Sequence, residues 1–251
     1  MKKLFIIACF LVLSAIAYGQ DTVQNADGST TITTTMISTK AGRLDTNLVA
    51  YDEQGKALRY YQYTKLLNSG QYTMSFEGPQ TDKPVMHIKK LSVDEQNKMF
   101  NMIRESITSK SPGLKEGSPF DTKPLESIVP VNQLNGKVLL LLFWYANCPP
   151  CTEDFASINK ILKQVHNPED ITILAITTDN EDIAAAKLKE KPVLYAKLIS
   201  GARDITNAYK PEGFPAYVVV DKAGITRLGI IGSSPITMQL VGTAVRAALT
   251  Q

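Results

Sequence analysis

The feature that most constrains this chain is an apolar run that ends in a closely spaced pair of cysteines. Val138–Phe143 contains no polar side chain, which is typical of a strand buried on both faces of a sheet. Cys148 and Cys151 follow after a short loop, and Thr152–Val165 has the apolar spacing of a helix. The sequence therefore predicts a buried strand that delivers two thiols to the first turn of a helix.

This placement favours redox chemistry. The N-terminus of a helix presents unpaired N–H groups and the positive end of a dipole, and both lower the pKa of a thiol placed there. Cys148 lies nearer the exposed end of the helix, so we predict that it attacks first. Cys151 is three residues further on, where it can resolve the mixed disulfide and close a Cys148–Cys151 disulfide.

The residues between the two cysteines bear on the direction of the reaction. Pro149 and Pro150 have no backbone N–H, so neither can stabilise a thiolate on Cys148. A less stabilised thiolate makes the dithiol a weaker oxidant, which favours a disulfide reductase over an oxidase.

A carboxylate follows one helical turn after the second cysteine. Asp154 can lie on the same helix face as Cys151 and assist its deprotonation. The alternative is that Asp154 only stabilises the first turn of the helix as an acidic side chain.

The first residues have the pattern of an export signal. Lys2 and Lys3 precede the apolar run Leu4–Ala17, which is shorter than the roughly 20 residues that span a bilayer. Small residues at Ala17 and Gly19 predict cleavage after Gly19, so residues 1–19 are interpreted as a signal peptide. A retained N-terminal membrane anchor is the alternative. Cleavage removes Cys9 and leaves the 148–151 pair, which fits an exported, periplasmic redox protein.

The charge balance excludes one class of function. The chain carries 27 basic and 24 acidic residues. Basic residues are not clustered as they are in a nucleic-acid-binding surface, so no nucleic-acid partner is predicted.

Two domains follow the signal segment. Residues 20–30 are polar and predict a tether, and residues 31–108 predict a smaller, mainly antiparallel β domain with one terminal helix. One of its predicted strands is Ala57–Thr64. Residues 109–119 are rich in Ser, Lys, Pro and Gly and predict a linker.

Residues 120–251 alternate between strand and helix patterns. The predicted order is strand, helix, strand and helix, and it ends in a hairpin and a terminal helix. This is the order of the thioredoxin fold, an α/β arrangement with a mixed central sheet and flanking helices.

The motifs of residues 113–251 resemble those of the TlpA-like thiol-disulfide oxidoreductases, exported members of the thioredoxin superfamily. The segments that carry the resemblance are Gly117-Ser118-Pro119-Phe120, Leu134-Asn135-Gly136-Lys137, Phe143-Trp144, Cys148-Pro149-Pro150-Cys151, Gly213-Phe214-Pro215 and Val218-Val219-Val220-Asp221. The chain departs from the family at Asn147, where Trp is usual, and at Asp154, where Glu is frequent. Leu142 stands where thioredoxin proper has an acid.

The resemblance implies further site residues. Pro215 is expected to follow a cis peptide bond that faces the cysteines and orients a substrate strand, and Phe214 is expected to lie nearest the substrate. Trp144 is expected to pack beneath the site or to contact substrate. Asn147 is a candidate for substrate docking or for capping the helix.

The expected partners are disulfide-bearing protein substrates and a membrane-bound electron donor that recharges the dithiol. No organic cofactor is implied. His87 and His166 lack the spacing of a zinc site with the cysteine pair, so no metal is predicted. The alternative function is a redox-inert binding or adaptor protein on a thioredoxin scaffold, whose N-terminal β domain recognises a partner.

Overall fold

The structure is a computed structural model that describes residues 18–24, 30–36, 49–77 and 85–250. The chain divides into two compact units, Met1–Lys98 and Met99–Gln251. Most of the predicted signal peptide, including Cys9, lies outside the described residues. Within those ranges, no helix has the length and apolar character needed to cross a membrane.

The N-terminal unit contains short strands, one complete helix and the first part of a second helix over its described residues. The strands and the complete helix are β1 (Tyr18–Gln24), β2 (Thr30–Met36), β3 (Ala50–Tyr51), β4 (Ala57–Leu58), α1 (Tyr60–Leu67), β5 (Tyr72–Glu77) and β6 (Val85–Lys90). β1 pairs with β2 antiparallel, and the remaining strands form a sheet in the order β4-β3-β6-β5. The pairs β3–β4 and β5–β6 are antiparallel, whereas β3–β6 is parallel. The predicted mainly antiparallel β domain is therefore confirmed.

Two local predictions in this unit differ from the structure. The predicted tether at 20–30 overlaps the paired strand β1. The predicted strand Ala57–Thr64 is instead the two-residue strand β4 followed by α1. The N–H of Arg59 donates to Oε1 of Gln62 at 2.8 Å and fixes the start of the helix. Helical spacing then buries Tyr63, while Tyr61 remains 63% exposed.

Helix α2 (Val93–Ile107) starts at a capping box formed by Ser92 and Glu95. The N–H of Ser92 donates to Oε2 of Glu95 at 2.8 Å, and the N–H of Glu95 donates back to the Ser92 hydroxyl oxygen at 3.3 Å. The helix does not end the first unit, because its second half belongs to the second. Phe100 and Ile103 pack against the hydrophobic core of the C-terminal unit.

The C-terminal unit alternates helices and strands in the predicted order. Its described elements are α3 (Lys123–Glu126), α4 (Val131–Leu134), β7 (Val138–Trp144), α5 (Pro149–Leu162), β8 (Ile171–Thr177), α6 (Glu181–Glu190), β9 (Ala196–Ile199), α7 (Arg203–Tyr209), β10 (Ala216–Val220), β11 (Thr226–Ile231) and α8 (Thr237–Leu249). The sheet order is β11-β10-β7-β8-β9. β7, β8 and β9 are parallel, and β10 is antiparallel to both of its neighbours. The predicted thioredoxin fold is confirmed.

Central strand β7 has both faces covered, as its apolar run predicts. Leu140 and Leu142 alternate with Leu139 and Leu141, and each set joins a separate core on one side of the sheet. One core includes α5 and α8, and the other includes α7. The strand is therefore a fixed support for the loop that follows it.

The 109–119 segment differs from the predicted linker because it packs along β11. Its short 3₁₀ turn buries Leu114 completely. The N–H of Ser109 donates to the carbonyl oxygen of Gly229, and the N–H of Gly117 donates to that of Thr226, both at 2.8 Å. This segment is an integral part of the C-terminal unit.

Candidate functional site

The two cysteines occupy the predicted position at the start of α5. Cys148 is the N-cap residue, and Pro149 and Pro150 are the first two helical residues. The sulfurs of Cys148 and Cys151 form a disulfide with a Cα–Cα distance of 5.3 Å. The N–H of Cys151 points to Sγ of Cys148 at a donor–acceptor distance of 3.2 Å. The first helical N–H that the prolines leave available is thus aimed at the Cys148 sulfur.

The two sulfur-bearing residues differ only slightly in exposure. In this disulfide form Cys148 is 3% exposed and Cys151 is fully buried. That Cys148 attacks first stays a prediction, and its exposed part is smaller than a helix end alone suggests.

Asp154 lies one turn further along α5, and its half-buried carboxylate holds two hydrogen bonds. The hydroxyl of Tyr217 donates to Oδ2 at 2.7 Å, and the hydroxyl of Ser233 donates to Oδ1 at 3.1 Å. Burial raises the pKa of the Asp154 carboxyl. The two hydrogen bonds offset only part of this rise, so the pKa stays above its ordinary value. An acid with a raised pKa is suited to accept and return a proton.

Tyr217 and Ser233 were missed from the sequence. Tyr217 lies opposite Leu142 in the sheet. Leu142 is the residue that stands where thioredoxin proper has its acid. The hydrogen bonds to Asp154 link α5 to the ends of two strands that are distant in sequence, so no local spacing indicated them.

Trp144 belongs to the hydrophobic core on one face of the sheet. The side chain is 1% exposed, and its ring packs edge-to-face on Phe155 with the centroids 5.3 Å apart. Its Nε1–H has no hydrogen-bond partner among the described residues. This packing is the first of the two expectations for Trp144, and its contact with substrate stays a prediction.

Asn147 does not cap the helix, because Cys148 holds that position. The Asn147 side chain is exposed. The loop around it is fixed instead by Asp179, whose Oδ2 accepts the N–H of Ala146 at 2.6 Å. Asp179 was also missed from the sequence, although a polar residue just after a strand adjacent to β7 was a usable signal.

Phe214 and Pro215 lie at the start of β10, joined by a cis peptide bond. Phe214 is half-buried, and its ring packs edge-to-face on Tyr145 with the centroids 5.5 Å apart. Tyr145 is 38% exposed. The sequence alone assigned no role to Tyr145.

The remaining ionisable side chains do not assemble into a metal site within the part of the chain that the structure describes. No group of three or more His, Cys, Asp and Glu residues there could hold an ion.

Part of the chain is similar in sequence to known proteins. The Redoxin family model matches residues 121–238. The thiol-disulfide oxidoreductase YkuV of Bacillus subtilis is 26% identical over 106 residues, which are 41% of this chain and 72% of the relative.

Solved structures were also compared. The thioredoxin domain of a thiol-disulfide oxidoreductase from Bacteroides vulgatus is 22% identical with a TM-score of 0.40, covering 47% of this chain and 84% of that one. A secreted disulfide oxidoreductase of Mycobacterium tuberculosis is 20% identical with a TM-score of 0.39, covering 45% of this chain and 84% of the other.

Proposed function

We propose that this chain is a thiol-disulfide oxidoreductase that reduces protein disulfides in the periplasm or an equivalent exported compartment. The match of residues 121–238 to the Redoxin family model and the similarity to a thiol-disulfide oxidoreductase support this proposal. The observation that carries the direction of the reaction is the donor set around Cys148. Its sulfur receives one helical N–H, from Cys151, because Pro149 and Pro150 have none to give. A thiolate with few donors makes a less oxidising couple.

The reaction starts from the reduced protein. The Cys148 thiolate attacks one sulfur of a substrate disulfide, so a bond forms between Cys148 and that sulfur while the substrate S–S bond breaks. The other substrate sulfur leaves as a thiolate and takes a proton from solvent. Cys151 then loses its proton and attacks Sγ of Cys148. The Cys148–Cys151 disulfide forms, the second substrate thiolate leaves, and two electrons have passed to the substrate.

Asp154 supports the second step in this proposal. Its carboxylate, one helical turn beyond Cys151, takes the Cys151 proton directly or through one water. The raised pKa of Asp154 brings its proton affinity closer to that of a thiol than an exposed aspartate would have. Asp154→Asn is expected to slow resolution of the mixed disulfide by about 100-fold and to leave the attack by Cys148 almost unchanged.

The substrate enters from the side of Phe214 and Pro215. These residues directly precede β10, and a substrate segment is expected to pair as an added strand beside them. A membrane-bound electron donor is proposed to return the oxidised protein to the dithiol form. Export through residues 1–19, or attachment through a retained N-terminal segment, belongs to the same proposal.

Two measurements on the purified protein test this function. We expect reduction of a model protein disulfide with a small dithiol as electron donor, and a reduction potential below about −180 mV in a glutathione titration. A potential near about −120 mV would overturn the reductase direction, because that value belongs to strong oxidants. Absence of any turnover would instead favour the redox-inert adaptor.

A further inference from the structure

An aromatic pair lies beside the attacking cysteine. The rings of Tyr145 and Phe214 meet edge-to-face with an interplanar angle of 81°. Both side chains are uncharged, and Tyr145 is one of the exposed large side chains of the C-terminal unit. The next exposed side chain on the loop is the polar Asn147, at the position where the resembling family places Trp.

The pair is held at a fixed distance from Cys148. The carbonyl oxygen of Tyr145 accepts the N–H of Cys148 at 3.1 Å. The next peptide is tied down by Asp179, which accepts the N–H of Ala146. Phe214 packs against the hydrophobic cores on both faces of the sheet. Neither ring therefore needs to be ordered when a partner arrives, which lowers the entropic cost of binding.

Disulfide geometry limits how far a covalently bound substrate cysteine can lie from Cys148. In a mixed disulfide the Cα atom of the substrate cysteine lies about 4.4–6.8 Å from that of Cys148. The residues next to that cysteine follow at about 3.8 Å intervals. A flanking side chain on the substrate therefore passes within reach of rings that lie three residues before Cys148 and just before Pro215.

We propose that Tyr145 and Phe214 together bind a large apolar side chain that flanks the reacting cysteine of the substrate. The occupant is an extended, disulfide-bearing segment of a protein or peptide, because the pair is continuous with the sulfur that the substrate must reach. Tyr145 is then a specificity-determining residue that takes over the aromatic contact missing at position 147. This inference rests on the proposed thiol-disulfide exchange but not on its direction.

The test measures the attack step alone. Cys151→Ser protein is reduced and mixed with two peptide disulfides that differ only in the residue beside the cysteine, Leu in one and Ser in the other. The rate of mixed-disulfide formation on Cys148 is followed by mass spectrometry. Each rate is divided by the rate of the same peptide with free glutathione, which removes differences in intrinsic reactivity.

We expect a preference of about tenfold for the Leu peptide, the size of discrimination that an apolar contact supports. Tyr145→Ala in the same background should remove most of this preference by slowing the Leu peptide alone. Tyr145→Phe should keep it, because the ring remains. Tyr195→Ala is the matched control, since Tyr195 is 62% exposed in the same unit and has no part in the site.

Equal normalised rates for both peptides in the Cys151→Ser protein would overturn the proposal. An equal loss for both peptides in Tyr145→Ala would do the same, since it would assign Tyr145 a general role in loop structure. A strongly oxidising potential would refute the reductase function and leave this result standing, because attack by Cys148 is measured without regard to the direction of turnover.

Discussion

The hydroxyl of Tyr217 donates a 2.7 Å hydrogen bond to the Asp154 carboxylate, and so joins helix α5, which begins at the cysteine pair, to strand β10. Tyr217 is 1% exposed, whereas Ser233, the second donor to Asp154, is exposed. The carboxylate thus connects a buried hydroxyl with one at the surface. In the mechanism that we propose, this arrangement would give a proton taken from Cys151 a route towards solvent.

Removal of the Tyr217 hydroxyl tests that connection. Tyr217→Phe deletes a hydrogen bond that lowers the pKa of Asp154, so that pKa should rise further. The pH profile of the resolution step, measured by stopped flow, should move to higher pH while the profile of the Cys148 attack stays in place. Ser233→Ala should produce a smaller shift in the same direction. A resolution profile that Tyr217→Phe leaves unmoved would remove Asp154 from the proton transfer.

Asp154 and Asp221 should make opposite contributions to the pH dependence of folding stability, because the pKa of one is raised and that of the other is lowered. Burial raises the pKa of Asp154 above its ordinary value of 3.8, so the folded state binds this proton more tightly than the unfolded state does. The stability that the protonated Asp154 contributes is therefore present below pH 3.8 and is lost as the pH rises through the raised pKa. Asp154→Asn should gain stability relative to the unmodified protein as the pH is raised.

The pKa of Asp221 is shifted in the opposite direction to that of Asp154. Burial alone would raise the pKa of this carboxyl, but the N–H of Ile225 and the guanidinium of Arg227 outweigh burial and lower it. The stability that Asp221 supplies is present above pH 3.8 and is lost as the pH falls through the lowered pKa. The Asp221→Asn variant should therefore show its largest loss of folding stability, relative to the unmodified protein, near neutral pH. Denaturant unfolding between about pH 3 and pH 7 measures both differences, and slopes of the same sign would contradict the assignment.

The close approach of the 109–119 segment to β11 has its own test. A Cβ atom at Gly229 would lie 1.9 Å from the carbonyl oxygen of Leu114, so backbone would have to move. Gly229→Ala should reduce the free energy of unfolding by about 2–3 kcal/mol, the usual effect of overpacking. Gly213→Ala is the control, because a Cβ there meets nothing within 4 Å. Equal stability of the two variants would mean that the segment is loosely attached.

The parts that the sequence predicted well are those with a local signal. The apolar strand, the cysteine pair and the helix after it are consecutive, and each constrains the next. Asp154 could be placed near Cys151 because helical spacing alone puts it on that side. The order of strands and helices in the C-terminal unit followed from the same kind of periodicity.

The errors arose where distant residues decide the structure. Residues 109–119 have the composition of a flexible linker, yet Leu114 is buried because Gly229 leaves room for its backbone. The ring of Tyr145 packs on Phe214, which a separate part of the chain supplies. Around Tyr60 and Tyr63 the aromatic residues fit a strand as well as a helix over so short a window, and tertiary packing selected the helix.

The central claim is that Cys148 exchanges with protein disulfides and that Cys151 resolves the product. Its most direct test is covalent trapping, in which the Cys151→Ser and Cys148→Ser variants are each mixed with a disulfide-bearing protein and the adducts are mapped by mass spectrometry. We expect a stable mixed disulfide on Cys148 in the first variant and no adduct on Cys151 in the second, because Cys151 is fully buried. Equal trapping by the Cys148→Ser variant would contradict the account.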